Sequence, residues 1–321
     1  MKDFRSKLLK DLSLMRDFMR LMAISGKKDY FKISLLVLIL VFVVRAIGSG
    51  FLIPYAISYV VNTFGESNGG GSLLIGIILF ETCAIIFIIT EFMLVKFFRS
   101  LVEAIVDVKN GIVLNITKIR ADEGEVPEDL VGKVANDVDF VVWNMSVTLT
   151  TLLPYALTSV VALVTATSFS PIVGALTAIT LIPYLVLAEI YSRRVEGYRL
   201  EERRSYSASI AHIKDIVYGT QATKLKNILE NWRKSMLKIM WLDRLYWGLG
   251  LLVGPASMGI IAYIAIGETH RGILNIGALA GLLSATLGTH TAALNAMWAM
   301  CIEGQTSAAI KRLMTLKSSM S

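Results

Sequence analysis

The sequence predicts an all-α membrane protein with six transmembrane helices and long cytosolic extensions. Of its 321 residues, 55% are hydrophobic and only 18% are charged, whereas about 25% are charged in a soluble globular protein. Six apolar stretches are each long enough to cross a hydrocarbon core about 30 Å thick, which takes about 20 helical residues. These predicted spans cover residues 33–62, 73–98, 142–169, 172–191, 246–266 and 275–302.

The positions of the basic residues predict how these spans are oriented. Of the 32 Lys and Arg residues, nine lie in 1–32, five in 99–141, twelve in 192–245 and three in 303–321. If every stretch crosses the membrane, these four segments all lie on the same side of it. That side is predicted to be the cytosol, because cytosolic loops carry an excess of Lys and Arg. We therefore expect an integral protein of the inner or cytoplasmic membrane, with both termini in the cytosol.

Composition also excludes several classes of function. The net charge is +7, and most of the basic residues flank apolar spans. They are therefore better placed to bind anionic lipid headgroups than nucleic acid. Cys83 and Cys301 lie inside spans and predict no disulfide, while His212, His270 and His290 lack the spacing of a metal site. No combination of nucleophile, base and acid emerges. We predict no catalytic residue, metal site or cofactor in this chain.

Residues 1–32 predict a cytosolic leader that precedes the first span. Within 4–24, apolar residues recur at helical spacing with basic residues between them. This pattern is typical of an amphipathic "elbow" helix that lies along the inner membrane surface. An ordinary cytosolic leader helix is the alternative. The predicted transmembrane unit then covers 33–321.

The connections between spans differ sharply in length. The outer ones, such as Ser170-Pro171, are short, whereas the inner ones at 99–141 and 192–245 hold about 43 and 54 residues. Structureless loops of that length are uncommon, and both contain few helix breakers. We therefore expect spans 2 to 5 to continue as helices about 25 Å beyond the membrane. Short breaks at 121–132 and 218–220 would turn the chain back.

Four motifs occur along these segments in a distinctive order. They are Gly132-Lys-Val-Ala-Asn-Asp137, Ala208-Ser-Ile-Ala-His-Ile-Lys-Asp-Ile-Val-Tyr-Gly219, Gly272-Ile-Leu-Asn-Ile-Gly277-Ala-Leu, and Gln305-Thr-Ser-Ala-Ala-Ile-Lys-Arg312-Leu. Their order, their spacing and the charge pattern together resemble the transmembrane domain of an ABC exporter. The resemblance implies the type 1 exporter fold of that family.

The resemblance also implies a partner and a role for the two inner turns. In such exporters the turns contact a nucleotide-binding ATPase domain. The corresponding residues here are Pro127, Glu128, Asp129, Leu130 and Gly132 in the first turn, and Val217, Tyr218, Gly219 and Thr220 in the second. Plain solvated turns are the alternative. The chain has no Gly-x-x-x-x-Gly-Lys-Ser/Thr motif, so ATP and Mg²⁺ would be bound by a separate ATPase chain or a removed C-terminal domain.

Arg45 lies about twelve residues into the first span, where an ionised group needs a partner. If spans 1 and 2 form a hairpin that turns near residue 67, Arg45 lies within a helical turn of Glu91. We predict an ion pair between them. A charged site for a polar or anionic substrate is the alternative.

Span 6 offers the best candidate surface for a substrate. Ser284, Gly288, Thr291 and Asn295 recur at i, i+4, i+7 and i+11, and this spacing places them on one helix face. His290 flanks this polar stripe, and Trp298 extends it inward. Such a stripe would line a water-filled cavity, although small and polar residues also pack membrane helices together.

The resulting prediction is the transmembrane subunit of an ATP-driven exporter that pairs with a second, identical or related, half. The alternative is a stand-alone six-span channel or secondary transporter. Many secondary transporters contain internal repeats, and none is evident between 33–169 and 172–302. An ABC importer is less consistent with two long inner arms.

Overall fold

A computed structural model describes residues 28–64, 70–123, 137–217 and 223–318, and within these ranges the chain is helical and has no strand. Its elements are α1 (Lys28–Ile47), a π-helical turn (Gly48–Leu52), α2 (Ile53–Asn62), α3 (Gly70–Glu123), α4 (Val138–Phe169), α5 (Pro171–Thr180), α6 (Ile182–Val217), α7 (Thr223–His270) and α8 (Ile276–Ser318). The predicted all-α class is confirmed.

Five segments in the described part of the chain are long and apolar enough to cross a membrane. They are Leu36–Asn62, Gly71–Arg99, Val138–Phe169, Pro171–Ile210 and Leu225–His270. The sixth predicted span forms the first part of α8, where the polar stripe makes the helix less apolar. Helix α8 packs against α2, α4, α6 and α7, so neighbouring helices cover much of its surface.

The predicted inner extensions are helical wherever the structure describes them. Helix α3 continues from its span to Glu123, α6 continues to Val217, and α7 is already helical at Thr223. The first 27 residues, most of the first turn and residues 218–220 of the second lie outside the described ranges. Helix α1 begins at Lys28, so the helix of span 1 starts before the predicted boundary at residue 33.

Two spans contain interruptions that the apolar pattern did not predict. In span 1, Pro54 cannot donate a backbone hydrogen bond, and the preceding turn is π-helical at Gly48–Leu52. A Cβ atom on Gly50 would lie 2.8 Å from the backbone nitrogen of Ala162, so glycine permits the close approach of α4. Span 4, predicted as one helix over 172–191, instead breaks at Leu181, because Pro183 also lacks an N–H group.

Short connections fix the end of the bundle that is predicted to face outward. The Ser170 hydroxyl accepts a hydrogen bond from the Val173 backbone N–H at 3.2 Å, which caps α5, and Pro171 occupies the first helical position as expected. After α7, Gly272 takes a φ of 71°, a conformation that favours glycine. The backbone N–H of Gly277 then donates to Asn62 Oδ1 at 3.0 Å, which ties α8 to α2.

Candidate functional site

A cavity of about 640 Å³ lies between span 1, α3, α4 and α8. We call it the central cavity. Its walls are largely apolar, with polar groups contributed by each of the four segments. The polar or charged residues among those that line it are Arg45, Ser49, Glu91, Thr150, Tyr155, Thr158, Ser284 and Thr291. This mixture matches ligand sites in general, which are mostly apolar with a few placed polar groups.

The predicted ion pair lies in the wall of the central cavity. Arg45 Nη1 donates a hydrogen bond to Glu91 Oε1, and the guanidinium carbon of Arg45 lies 5.4 Å from the centre of the Phe87 ring. The pairing prediction is confirmed. The two side chains are 31% and 59% exposed, and they are the only charged groups among the described residues that line the cavity.

Hydroxyl groups continue the polar surface from the ion pair toward α4. Ser49 Oγ donates to the Arg45 carbonyl oxygen at 3.1 Å and lies 3.2 Å from Thr158 Oγ1. Pro154, inside α4, cannot donate to the carbonyl oxygen of Thr150. Proline at this position therefore leaves the Thr150 carbonyl oxygen without its usual helical donor, beside the hydroxyl groups of the cavity wall.

The structure places three residues of the predicted span 6 stripe at the central cavity and the fourth outside its lining. Ser284 and Thr291 line the central cavity together with Gly288. Asn295 is not among the lining residues, and its Nδ2 donates to the Thr291 carbonyl oxygen at 2.9 Å. Of the stripe itself, only the first three positions share the cavity.

His290 and Trp298 were predicted to flank or extend the stripe, and the structure places both away from the central cavity. His290 is 2% exposed, with Nε2 3.3 Å from Thr180 Oγ1 and its ring 5.9 Å from that of Tyr184. It packs α8 against span 4. Trp298 lines a separate cavity of about 170 Å³ beside Asp243. His290 is one position off the stripe and therefore points to a different face. Trp298 keeps the stripe's spacing, three residues after Asn295, but it lies beyond the part of α8 that lines the central cavity.

The sequence prediction missed the contribution of α4 to the central cavity. Thr150, Pro154 and Thr158 recur at i, i+4 and i+8, and all three line the cavity. This spacing is the same kind of stripe that identified span 6. It was present in the sequence and would have predicted the fourth wall.

A second cluster of polar side chains is buried toward the side predicted to be cytosolic. We call it the inner network, and it consists of Asp137, Tyr191, Arg199, Glu202, Arg203, Trp232, Asp243 and Gln305. Its four most enclosed charged side chains are only 1 to 11% exposed. Charges buried to this degree are costly unless they are paired.

Glu202 lies at the centre of the inner network. Its Oε2 lies 3.4 Å from Arg199 Nη1 and 3.5 Å from Arg203 Nε, while its Oε1 accepts a hydrogen bond from Trp232 Nε1 at 3.0 Å. Arg203 Nη1 also approaches Asp137 Oδ1 at 3.9 Å. These contacts join α6 to the beginning of α7 and to the residue that precedes α4.

The inner network continues from Arg199 to α8. Arg199 Nη2 donates to Gln305 Oε1, and Gln305 Nε2 donates to the Tyr191 hydroxyl at 2.7 Å. The Tyr191 hydroxyl donates in turn to Asp243 Oδ1. Four helical segments are thus connected where the two inner arms leave the membrane.

The predicted coupling residues mostly lie outside the described ranges. Pro127, Glu128, Asp129, Leu130 and Gly132 fall between α3 and α4, and Tyr218, Gly219 and Thr220 fall between α6 and α7. Val217 is the last residue of α6. The inner network is close to both turns along the chain, because Asp137 follows the first turn and Trp232 lies in the first part of α7.

Comparison with known families identifies the family of this chain. The profile of the ABC transporter transmembrane region matches residues 128–291, which is just over half of the chain. The chain belongs to this family. It is therefore an integral membrane protein, and the match supports the type 1 exporter fold expected from the motifs. A comparison with curated proteins gave no significant match.

The family match covers one part of the molecule and leaves another outside it. It includes spans 3 to 5, the first inner turn from residue 128 onward, the whole second turn and the first part of span 6. Arg45 and Glu91 precede it. The ion pair in the central cavity is thus a feature of this chain that the ABC transporter transmembrane match does not itself account for.

Proposed function

We propose that this chain is the transmembrane subunit of an ATP-driven exporter, in which two halves, identical or related, enclose one substrate pathway. The observation that carries the proposal is the central cavity, where an ion pair and hydroxyl groups lie inside the membrane-spanning part of an ABC transporter family member. Polar groups at that depth are expensive, so a route for a polar or amphipathic molecule gives them a purpose. Both termini would lie in the cytosol.

Coupling to ATP would occur through the two inner turns. Helix α6 runs 26 residues beyond Tyr191 to Val217, a distance of about 39 Å at 1.5 Å per residue. The turns at Pro127–Gly132 and Val217–Thr220 would contact nucleotide-binding domains, on a separate chain or in a further part of the same polypeptide. Those domains would bind ATP and Mg²⁺.

The inner network would carry movement of these turns to the spans. It links the beginning of α4, α6, α7 and α8 by paired charges, and none of these groups can be displaced cheaply from its partners. The arms would therefore move with the spans rather than flex independently. Closing and opening of the ATPase domains would shift the bundle between inward-open and outward-open states.

The chemistry of the central cavity favours an amphipathic substrate. Phe42, Phe87 and Leu94 supply apolar surface, whereas Arg45 and Glu91 supply one charge of each sign. A lipid, a peptide and an amphipathic drug each combine these properties. The net charge of the cavity wall is zero, so neither a small anion nor a small cation is strongly preferred.

A cavity-filling substitution tests this function. In the full chain assembled with its ATPase domain and reconstituted in vesicles, we expect Ser284→Trp to abolish stimulation of ATP hydrolysis by amphipathic compounds while basal hydrolysis remains. Leu252→Trp is the matched control, because Leu252 is 66% exposed on α7 and does not line the cavity.

The same vesicles separate the exporter from a channel or secondary transporter. An exporter moves substrate only when ATP is hydrolysed. Substrate movement that continues without ATP, or that Ser284→Trp leaves unchanged, would contradict the proposal.

A further inference from the structure

A groove of about 580 Å³ lies between α6 and α7, away from the central cavity. We call it the α6–α7 groove. The residues that line it are Arg194, Tyr198, Leu237, Lys238, Trp241 and Leu242. It combines two cations, two aromatic side chains and two leucines, and nothing in the transport cycle proposed above requires it.

Both cations of the groove lack an acidic partner among the residues that the structure describes. Arg194 and Lys238 are exposed, and neither forms an ion pair within the part of the chain that the structure describes. The neighbouring Arg193 differs, because its Nε lies 2.6 Å from Glu189 Oε1. Lys238 Nζ lies 5.2 Å from the centre of the Tyr198 ring, which keeps its charge at the groove. The groove is therefore a site of uncompensated positive charge.

The span ends predicted from the sequence place the groove at the level of lipid headgroups. Arg194 is three residues beyond the end of span 4 at 191, about 4.5 Å along a helix, and Trp241 is five residues, about 7.5 Å, before span 5 begins at 246. The headgroup layer is about 5–8 Å thick on each side of the hydrocarbon core. Lys238 lies one turn further out, and long lysine side chains reach back toward such a layer.

Apolar surface accompanies the two charges. Trp241 and Leu237 are 64% and 56% exposed, whereas Leu242, at 5%, forms part of the buried floor. Tryptophan and tyrosine are enriched at the membrane interface because their rings are amphipathic. A soluble anion would leave this apolar surface uncovered, but the glycerol and upper acyl chains of a lipid would cover it.

We propose that the α6–α7 groove binds the headgroup of an anionic phospholipid, with Arg194 and Lys238 on its phosphate and Trp241 against its glycerol and upper acyl region. By the charge pattern of the sequence the groove faces the cytosolic leaflet, whose surface is negative. The site requires only that α6 and α7 cross the headgroup layer. The lipid-site proposal therefore does not depend on the proposed export function.

Native mass spectrometry of the full chain in detergent, with phosphatidylglycerol or phosphatidylcholine added, tests the site. We expect the wild-type chain to retain phosphatidylglycerol preferentially. A basic residue beside an anionic headgroup contributes about a five-fold gain in affinity, and in detergent only a cation that contacts the bound lipid can do so. The double variant Arg194→Ala and Lys238→Ala should therefore bind phosphatidylglycerol roughly 25-fold more weakly. Arg244→Ala is the matched control: Arg244 is an exposed cation of α7 that does not line the groove, so its loss should change affinity less than two-fold.

Fluorescence gives a second measurement that does not depend on the double variant. Brominated phosphatidylglycerol should quench a component of tryptophan emission that Trp241→Phe lacks. Equal retention of the two lipids, or an equal loss of affinity in Arg244→Ala, would overturn the proposal. So would displacement of phosphatidylglycerol by millimolar inorganic phosphate, because the groove would then bind a soluble anion.

Discussion

The central cavity and the inner network both contain Arg–Glu pairs, yet the two environments are opposite. In the cavity, Arg45 and Glu91 are 31% and 59% exposed and pair mainly with each other. In the inner network, Arg199, Glu202 and Arg203 are 6 to 11% exposed, and each has several partners. The first arrangement leaves charge available to a ligand, whereas the second uses the same chemistry to join helices.

The largest expected difference follows from removing the centre of the inner network. Glu202→Ala leaves Arg199 and Arg203 buried without their shared carboxylate, which typically costs about 3–5 kcal/mol. Thermal and denaturant unfolding of the full chain in detergent measures this loss. The matched control is Glu189→Ala on the same helix, because Arg193, its partner, is 62% exposed. We expect under about 1 kcal/mol there, and equal losses at the two positions would remove the distinction between a buried and an exposed pair.

A smaller loss of stability is expected at Tyr191, at the edge of the inner network. Tyr191→Phe removes the hydroxyl that accepts from Gln305 and donates to Asp243. Leaving such buried groups unsatisfied costs about 1–3 kcal/mol. Tyr263→Phe, at a tyrosine that is 80% exposed on α7, should leave the unfolding free energy unchanged. If Tyr191→Phe also leaves the unfolding free energy unchanged, the connection from α6 to α8 does not depend on this hydroxyl.

The sequence predicted the cavity better than the inner network, and the reason is physical. In a membrane span, a polar residue stands out against an apolar background, so Arg45, Glu91, Ser284 and Thr291 were recognisable by position alone. The pairing of Arg45 with Glu91 also followed from the geometry of a helical hairpin.

In the inner arms, by contrast, charged residues are common throughout the sequence, so a single one does not stand out. Nothing local distinguishes the buried Arg203 from the exposed Arg204, and the partner of each depends on how four helices cross. The same limit applies to His290 and Trp298, because their faces follow from the packing of α8 against α5, α6 and α7. Pro183 and Pro54 indicate that the helices are interrupted near Leu181 and Gly48–Leu52. They do not predict the geometry of either interruption.

At the cavity, Arg45→Leu should affect ligand response more than stability. Under the proposed function, water and substrate reach the pair from the cavity. We then expect a loss of about 1 kcal/mol or less but an altered set of compounds that stimulate ATP hydrolysis. The double variant Arg45→Glu with Glu91→Arg keeps an ion pair but exchanges the positions of the two charges. If Arg45→Leu unfolds the chain and the exchange rescues folding with an unchanged set of compounds, the pair is structural and the contrast with the inner network fails.

The smallest effect is expected from the cavity hydroxyls. Thr158→Val removes the group that lies 3.2 Å from Ser49 Oγ and keeps a similar shape, and Ser49 retains its bond to the Arg45 carbonyl. We therefore expect at most about 1 kcal/mol of lost stability, with a shift in the compound concentration that half-maximally stimulates ATP hydrolysis. Thr82→Val is the matched control, because Thr82 Oγ1 donates to the Ile78 carbonyl of its own helix, 2.7 Å away, and Thr82 does not line the cavity. Since both substitutions remove one hydroxyl inside a membrane helix, a shift at Thr158 that is absent at Thr82 assigns the effect to the cavity, whereas matching shifts would assign it to the helices themselves.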